Sequence, residues 1–281
     1  MQFRAIQSEA NENFKRWKKL TENARAIKKE GVTLAEGAHL AITLYEKGIK
    51  PLALIFRDSG FTDELSEIVE VWSAEKIPCY VLDNKLYDRI SPVEHGAGMI
   101  CEIRVPQFEL PQKAETDVLY LDGVQDPGNV GTLIRTAVAA GISSIAASRG
   151  SASLWSAKAL RAGMGAHFSA KLYENIDPAD LPHLFNATRL AADARGGEDI
   201  YQASGWENGH TVWMMGAEGP GLSDAALSQA DRRLYIPIIH DCESLNVGAA
   251  AAVCLFEQRR RRLCLKTLKY LLLNNNRSAF L

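Results

Sequence analysis

The sequence has few of the residues that mark disulfide-rich, metal-binding or membrane proteins. Its 281 residues include five cysteines, an odd number without a Cys-x-x-Cys pair, which argues against a disulfide framework or a zinc ribbon. The six histidines show no His-Glu-x-x-His spacing, so no metal centre is indicated. The longest apolar run, Val247–Phe256, is about half as long as a bilayer crossing requires.

A dominant charge and the common nucleotide-binding motifs are also absent. The net charge is −2, and the polar N-terminus does not resemble a secretory signal. The glycine-rich stretches fit neither Gly-x-Gly-x-x-Gly nor the P-loop pattern, which argues against the alternative of a nicotinamide enzyme. Ser244 lacks the Gly-x-Ser-x-Gly context of a hydrolase nucleophile. We therefore expect a soluble cytoplasmic protein that binds neither a metal nor a membrane.

Positive charge is concentrated in two short segments. One lies near the N-terminus, and the other is Arg259–Arg262. Because local patches set phosphate affinity, the N-terminal segment is a candidate nucleic-acid-binding surface. The alternative is a solvated helix face, with the arginines at a helix C-terminus that the helix dipole favours. The N-terminal candidates are Lys15, Arg16, Lys18, Lys19, Arg25, Lys28 and Lys29.

Short apolar runs alternate with helical patterns over residues 1–105, which predicts a small α/β domain. A charged helix is expected from Glu9 to Lys29, ended by Gly31. Residues 106–116 contain two prolines and no periodicity, so we interpret them as a linker. The remaining predictions are strands at Leu52–Phe56, Pro78–Leu82 and Met99–Val105, and helices at Ala38–Lys47 and Thr62–Trp72.

Strand and helix patterns also alternate over residues 117–264, which predicts a mostly parallel sheet covered on both faces. A helix is expected at Asn129–Ala140. The last helix is expected at Ser244–Leu263, with Ser244 as its N-cap. Residues 265–281 form a tail of unknown role. The predicted strands are Asp117–Leu121, Ser143–Ala147, Arg189–Asp193, Thr211–Met215 and Arg233–Ile236.

Three glycine-containing polar loops, residues 122–131, 216–223 and 236–248, each follow a predicted strand. Ligands bind at the carboxyl ends of parallel strands, and glycine lets the backbone approach them closely. We therefore expect the three loops to form one site. Their candidate side chains are Asn129 and Arg135, Glu218, and Ser244 and Asn246.

The order and spacing of these residues resemble the SpoU/TrmH family of RNA 2′-O-methyltransferases in the SPOUT superfamily. The similarity includes Asn129 with Arg135 six residues later, Glu218 in a glycine-rich turn, and Ser-Leu-Asn from Ser244 to Asn246. The segment Ser148–Phe168 is also similar. The region around Glu36-Gly37 resembles the family's L30e-like substrate-binding domain. His240 stands where family members often have glycine.

The resemblance implies a C-terminal SPOUT domain with a trefoil knot, preceded by the smaller L30e-like domain. It also implies a homodimer, and S-adenosylmethionine contacted by Gly216, Ile236 and Leu245. The substrate is then structured RNA, held by the N-terminal basic residues and by Arg161. The extra domain favours ribosomal RNA. Transfer RNA, and a non-catalytic RNA-binding protein on the same scaffold, remain the alternatives.

The five catalytic candidates suit this reaction chemically. A 2′-hydroxyl must be aligned with the methyl group, and its developing negative charge must be stabilised. A guanidinium stays protonated and is a poor base, so we interpret Arg135 as an orienting and stabilising group. Asn129 and Asn246 can hold Arg135 and the ribose. Glu218 can fix Arg135, and Ser244 can position cofactor or ribose.

Overall fold

The computed structural model describes residues 3–91, 98–239 and 244–278, with side chains given up to residue 265 and at residue 267. The chain forms two compact units. Unit 1 contains Met1–Phe108, Asp126–Arg135 and Ala152–Ser169. Unit 2 contains Glu109–Gln125, Thr136–Ser151 and Ala170–Leu281. Unit 1 thus includes two segments from the region 117–264, for which a separate domain was expected.

The first 108 residues of unit 1 build a mixed five-stranded sheet. Its strands are β1 (Phe3–Ile6), β2 (Val32–Glu36), β3 (Ala53–Arg57), β4 (Cys79–Leu82) and β5 (Met99–Arg104). Its helices are α1 (Glu12–Glu22), α2 (Ala24–Glu30), α3 (Ala38–Glu46), α4 (Ser66–Ala74) and α5 (Asn84–Ile90). The strand order is β1-β4-β3-β5-β2, and β5 is antiparallel to both of its neighbours. The predicted α/β class is confirmed.

The prediction of a single helix from Glu9 to Lys29 is wrong, because the helix is interrupted at Asn23. This residue has an extended backbone, and its side chain accepts a hydrogen bond from the amide of Arg25. It therefore ends α1 and caps α2, as asparagine often does. Gly31 ends α2 with a left-handed backbone, φ 65°, which glycine adopts without steric cost.

Unit 2 is built on a seven-stranded sheet in which every pairing of the described strands is parallel. Its strands are β6 (Val118–Asp122), β7 (Ser144–Ala147), β8 (Lys171–Glu174), β9 (Thr188–Ala192), β10 (Glu198–Asp199), β11 (Thr211–Gly216) and β12 (Arg232–Tyr235). The order is β10-β12-β9-β11-β6-β7-β8. β6 and β7 are buried along their whole length, as expected for a parallel sheet covered on both faces.

Five α-helices lie in the described residues from 117 onward. They are α6 (Pro127–Ala140), α7 (Ala157–Gly163), α8 (Leu181–Leu184), α9 (Asp224–Ser228) and α10 (Val247–Ser278). The five strands predicted here are observed with shifts of about one residue, whereas the short β8 and β10 were not predicted. Two residues, as in β10, are too few to show any periodicity.

The last helix differs from its prediction at both ends. Asn246, not Ser244, caps it, because the Asn246 Oδ1 accepts hydrogen bonds from the amides of Gly248 and Ala249. The helix continues to Ser278, so Arg259–Arg262 lie within it and not at its C-terminus. Neither α10 nor any other helix among the described residues has an apolar stretch long enough to cross a membrane.

Candidate active site

Two of the three predicted loops start side by side at the carboxyl edge of the parallel sheet. The ends of β6 and β11 are in register, with Asp122 opposite Gly216. The Asp122 carboxylate accepts a hydrogen bond of 2.8 Å from the amide of Ser223, at the end of the second loop. The first loop therefore anchors the second at this edge.

A cavity of about 370 Å³ opens beside the second loop, within unit 2. Four segments line it, one after each of β9, β11 and β12 and one at the start of α10. The apolar side chains of Met215, Leu234, Ile236 and Val247 contribute to its walls. Of the residues predicted for cofactor binding and catalysis, the lining includes Gly216, Glu218, Ile236, Ser244, Leu245 and Asn246.

The glycine-rich turn after β11 is packed so closely that Gly216 has no room for a side chain. A Cβ built on Gly216 would lie 2.1 Å from the carbonyl carbon of Gly221 and 2.2 Å from the amide nitrogen of Leu222. Ala217 and Gly221 exchange two backbone hydrogen bonds of 3.1 and 3.0 Å across the turn. The turn is therefore a rigid wall of the cavity that presents mainly backbone.

Glu218 and Asn246 connect the second and third loops. The Asn246 side-chain amide donates a hydrogen bond of 3.0 Å to the Glu218 carboxylate, while its carbonyl oxygen caps α10. Both side chains are exposed at the cavity. Asn246 thus orients a carboxylate at the rim of the cavity, a role that the sequence motif alone did not assign.

Asp193 and Arg195, on the loop after β9, also line the cavity but were not predicted as site residues. The buried Asp193 carboxylate accepts hydrogen bonds from Arg195 Nε at 2.9 Å and from Arg233 Nη2 at 2.6 Å. Burial alone would raise the pKa of Asp193, but these hydrogen bonds outweigh it and hold the pKa below its usual value. Asp193 therefore remains a carboxylate that draws two arginines together.

Arg195 continues this network into the glycine-rich turn. Its guanidinium donates hydrogen bonds to the carbonyl oxygens of Pro220, at 3.3 Å, and Leu222, at 3.1 Å. The turn is therefore held from one side by Asp122 and from the other by Arg195. A charged pair two residues apart in Asp-x-Arg was the only sequence signal for this support, and such pairs are common in surface loops.

Asn129 and Arg135 do not line this cavity and belong to unit 1. Both lie on α6, whose start is capped by Asp126, since the Asp126 carboxylate accepts a hydrogen bond of 2.7 Å from the Asn129 amide. Arg135 is exposed. The predicted helix therefore exists, whereas the catalytic roles of these two residues remain predictions.

The predicted RNA-binding residues differ in exposure and in pairing, and the exposed Lys15 is itself paired with Glu12 at 2.8 Å. Arg16 is only about one-third exposed and donates a hydrogen bond of 2.7 Å to the buried Glu102. Lys18 is half-buried and lies 3.9 Å from Glu22. Arg161 is exposed on α7. The exposed members of the N-terminal cluster are Lys15, Lys19, Arg25, Lys28 and Lys29.

Two arginines of the second basic run, Arg261 and Arg262, pack against unit 2, whereas Arg259 and Arg260 are exposed. Arg261 lies over the Trp206 ring at 4.9 Å and donates hydrogen bonds to three backbone carbonyls of residues 200–203. Arg262 pairs with Asp117 at 2.6 Å, and this pairing keeps the pKa of Asp117 low although burial opposes it. These side chains hold α10 against neighbouring loops, which leaves them few donors for phosphate.

Two further expectations concern a metal centre and the residue His240. Within residues 3–91, 98–239 and 244–278, no three His, Cys, Asp or Glu side chains are grouped as metal ligands. His240, expected to alter the third loop, lies outside the described residues.

Residues 117–256 match the model of the SpoU rRNA Methylase family. The chain is 30% identical over 257 residues to the 23S rRNA (guanosine(2553)-2'-O)-methyltransferase RlmP of Bacillus subtilis, covering 90% of this chain and 98% of that one. It is 34% identical over 151 residues to the 23S rRNA (guanosine-2'-O-)-methyltransferase RlmB of Bordetella pertussis, covering 52% and 60% of the two chains.

Two solved structures share the fold over almost the whole chain. An rRNA methyltransferase from Sinorhizobium meliloti is 25% identical, with a TM-score of 0.77 and coverage of 93% of this chain and 99% of that one. The SpoU methyltransferase AviRb from Streptomyces viridochromogenes, solved with AdoMet, is 20% identical, with a TM-score of 0.78 and coverage of 90% and 98%.

Proposed function

Because this chain belongs to the SpoU rRNA methylase family, we propose that it transfers a methyl group from S-adenosylmethionine to a ribose 2′-hydroxyl of ribosomal RNA. The observation that carries the proposal is the cavity at the carboxyl edge of the parallel sheet. It collects the backbone of the glycine-rich turn, the Glu218–Asn246 pair and the start of α10 around one volume. RlmP and RlmB are named as 23S rRNA methyltransferases, which favours ribosomal RNA over transfer RNA as the substrate.

The cavity fits S-adenosylmethionine in size and chemistry. Its volume of about 370 Å³ lies within the range of small-molecule pockets. Ile236 offers an apolar wall suited to an adenine ring, and Gly216 and Leu245 also line the cavity. The Glu218 carboxylate at the rim suits a cofactor whose sulfonium is positively charged. We propose these residues as its binding site.

The bound cofactor supplies a methyl group that its sulfonium has already activated. The protein must then place the ribose hydroxyl and stabilise the negative charge that develops on it. We propose that Arg135 supplies that stabilisation and orients the ribose and its phosphate. Asn129 and Asn246 provide amide groups that can both donate and accept hydrogen bonds, and Ser244 provides a hydroxyl on the lining of the cavity.

Methyl transfer with purified protein tests this function directly. Labelled S-adenosylmethionine should give labelled ribosomal RNA, and 2′-O-methyl mapping of RNA from cells lacking the protein should show one missing site. Methylation of transfer RNA, with ribosomal RNA unchanged, would move the proposal to the other substrate. Absence of cofactor binding in calorimetry at millimolar concentration would contradict the proposal.

The exposed basic residues of α1 and α2 should provide most of the RNA affinity. We expect a variant with these five residues changed to glutamine to bind the RNA substrate about tenfold more weakly at 0.1 M salt. Its affinity should also depend less steeply on salt, because fewer counterions are released. The measurement is a binding titration at several salt concentrations. The five residues are Lys15, Lys19, Arg25, Lys28 and Lys29.

A matched control neutralises four other exposed lysines of unit 1, Lys47, Lys50, Lys76 and Lys85. We expect this control to retain nearly all of the affinity and the salt slope. If both variants lose affinity equally, the α1–α2 cluster is not a specific RNA-binding surface. If neither does, the cluster only solvates two helices.

We propose that the protein is a homodimer, as its family resemblance implies, with α10 in the interface. Phe256 and Leu263 are about half exposed although both are large and apolar. Seven residues separate them, so they share the helix face opposite the buried Cys254 and Gln258. Phe256→Glu and Leu263→Glu should each weaken dimerisation about tenfold in sedimentation or light-scattering measurements.

Leu265→Glu is the matched control for the dimer, since Leu265 is exposed on the other side of α10. It should leave the association unchanged. A wild-type protein that is monomeric and active at tens of micromolar would contradict the dimer. The trefoil knot, a cytoplasmic location and the RNA-binding role of residues 1–105 remain predictions.

A further inference from the structure

The geometry points to Thr33, in the N-terminal sheet, as a positioning residue for the part of α6 that carries Asn129 and Arg135. The inference rests on the proposed function, because it concerns the two residues to which we assign catalysis. Its structural basis is a continuous series of close contacts inside unit 1. Each contact joins elements that are far apart in sequence.

The series begins at β2, whose five residues are all buried. The Thr33 hydroxyl donates a hydrogen bond of 2.6 Å to the backbone carbonyl of Trp155, in the segment before α7. Thr33 is 1% exposed, so it cannot touch RNA. Two contacts from α3 hold the residues that directly follow α7: His39 Nε2 lies 3.2 Å from the Met164 carbonyl oxygen, and Gly165 packs against Thr43.

The next contact in the series joins Trp155 to His167. The two rings lie 5.6 Å apart, and His167 Nε2 donates to the Leu154 carbonyl at 2.8 Å. Burial lowers the pKa of His167 to about 4, so this ring is neutral at physiological pH. It occupies the space above Gly163, where a Cβ would lie 2.3 Å from the ring.

The last contact joins α7 to α6. A Cβ on Gly131 would lie 2.3 Å from the Ala159 carbonyl oxygen and 2.8 Å from the Gly163 amide nitrogen. The backbones of the two helices are therefore in direct contact at Gly131. Asn129 is two residues before this contact and Arg135 one turn after it. Close-packed elements of this kind move together, since a gap or overlap at any step costs free energy.

Thr33→Val tests the inference, because it preserves the shape of the side chain and removes the hydroxyl. We expect amide hydrogen exchange, measured by mass spectrometry without RNA or cofactor, to rise about tenfold in residues 126–135 and 152–169. We also expect kcat to fall about fivefold. The cofactor Kd and the KM for RNA should stay unchanged, and Thr33→Ser should restore both exchange and kcat.

Thr211→Val is the matched control in unit 2. Thr211 is fully buried, and its hydroxyl also makes hydrogen bonds, to Asp117 and Gln258. The Thr211→Val substitution should not raise amide hydrogen exchange in residues 126–135. Should Thr33→Val fail to fold, His39→Ala removes an exposed contact to the same segment and should give a smaller rise in the same two regions.

The inference is overturned if exchange in residues 126–135 stays at the wild-type level in Thr33→Val or, should that variant not fold, in His39→Ala. It is equally overturned if Thr211→Val raises exchange there as much. If Thr33→Val raises exchange in residues 126–135 but keeps the wild-type kcat, only the expected effect on catalysis is contradicted. If the wild type methylates no RNA while Thr33→Val still loosens residues 126–135, the proposed function fails and the coupling stands.

Discussion

Arg135→Ala is expected to lower kcat for methyl transfer about 100- to 1000-fold while leaving cofactor affinity nearly unchanged. Loss of a group that stabilises charge only in the transition state acts on turnover and not on ground-state binding. Arg135 is not among the residues that line the cavity beside the glycine-rich turn, and it is exposed on α6. Single-turnover kinetics and calorimetry of the same preparation would separate the two effects.

Two further substitutions sharpen this prediction. Arg135→Lys keeps the charge but loses the planar fork, so its rate should fall between those of the wild type and Arg135→Ala. Thr132→Ala is a control one turn earlier on α6, where the Thr132 hydroxyl donates a hydrogen bond of 2.9 Å within the helix, to the Gly128 carbonyl. Near-normal methylation by Arg135→Ala would rule out the role that we propose for the guanidinium.

Gly216→Ala is expected to weaken cofactor binding about 10- to 100-fold. The added methyl group would overlap the backbone of Gly221 and Leu222, and backbone cannot move aside as a flexible side chain can. The turn must shift as a whole, which also moves Glu218 away from Asn246. Since the turn forms one wall of the cavity, calorimetry with S-adenosylmethionine should report the change directly.

Gly150→Ala provides the control for this substitution. A Cβ on Gly150 would lie 3.6 Å from the Gly123 Cα, an ordinary van der Waals distance, and Gly150 is not part of the cavity. The Gly150→Ala variant should bind S-adenosylmethionine with the same Kd as the wild type. Circular dichroism should show both variants folded, and an unchanged Kd in folded Gly216→Ala would mean that the turn does not shape the cofactor site.

Much of the fold and part of the site were predictable from local patterns. Alternating apolar runs gave the strands of the parallel sheet, and their carboxyl ends gave the loops that carry Gly216, Glu218 and Ile236. The limits are equally local. Asn23 divides one predicted helix into two, and Asn246 takes the capping role expected of Ser244, because neighbouring polar residues compete for the same backbone amides.

The sequence by itself determined the class of sheet, the order of the three loops and the residue types available for methyl transfer. Periodicity and motif spacing act over a few residues and can be recognised without a structure. Only the tertiary structure decided which charges are free. Arg16 is paired with Glu102, 86 residues away, and Arg262 with Asp117, 145 residues away. These partners are brought together by packing. Separation along the chain does not show which carboxylate, once removed from water, will need a cation beside it.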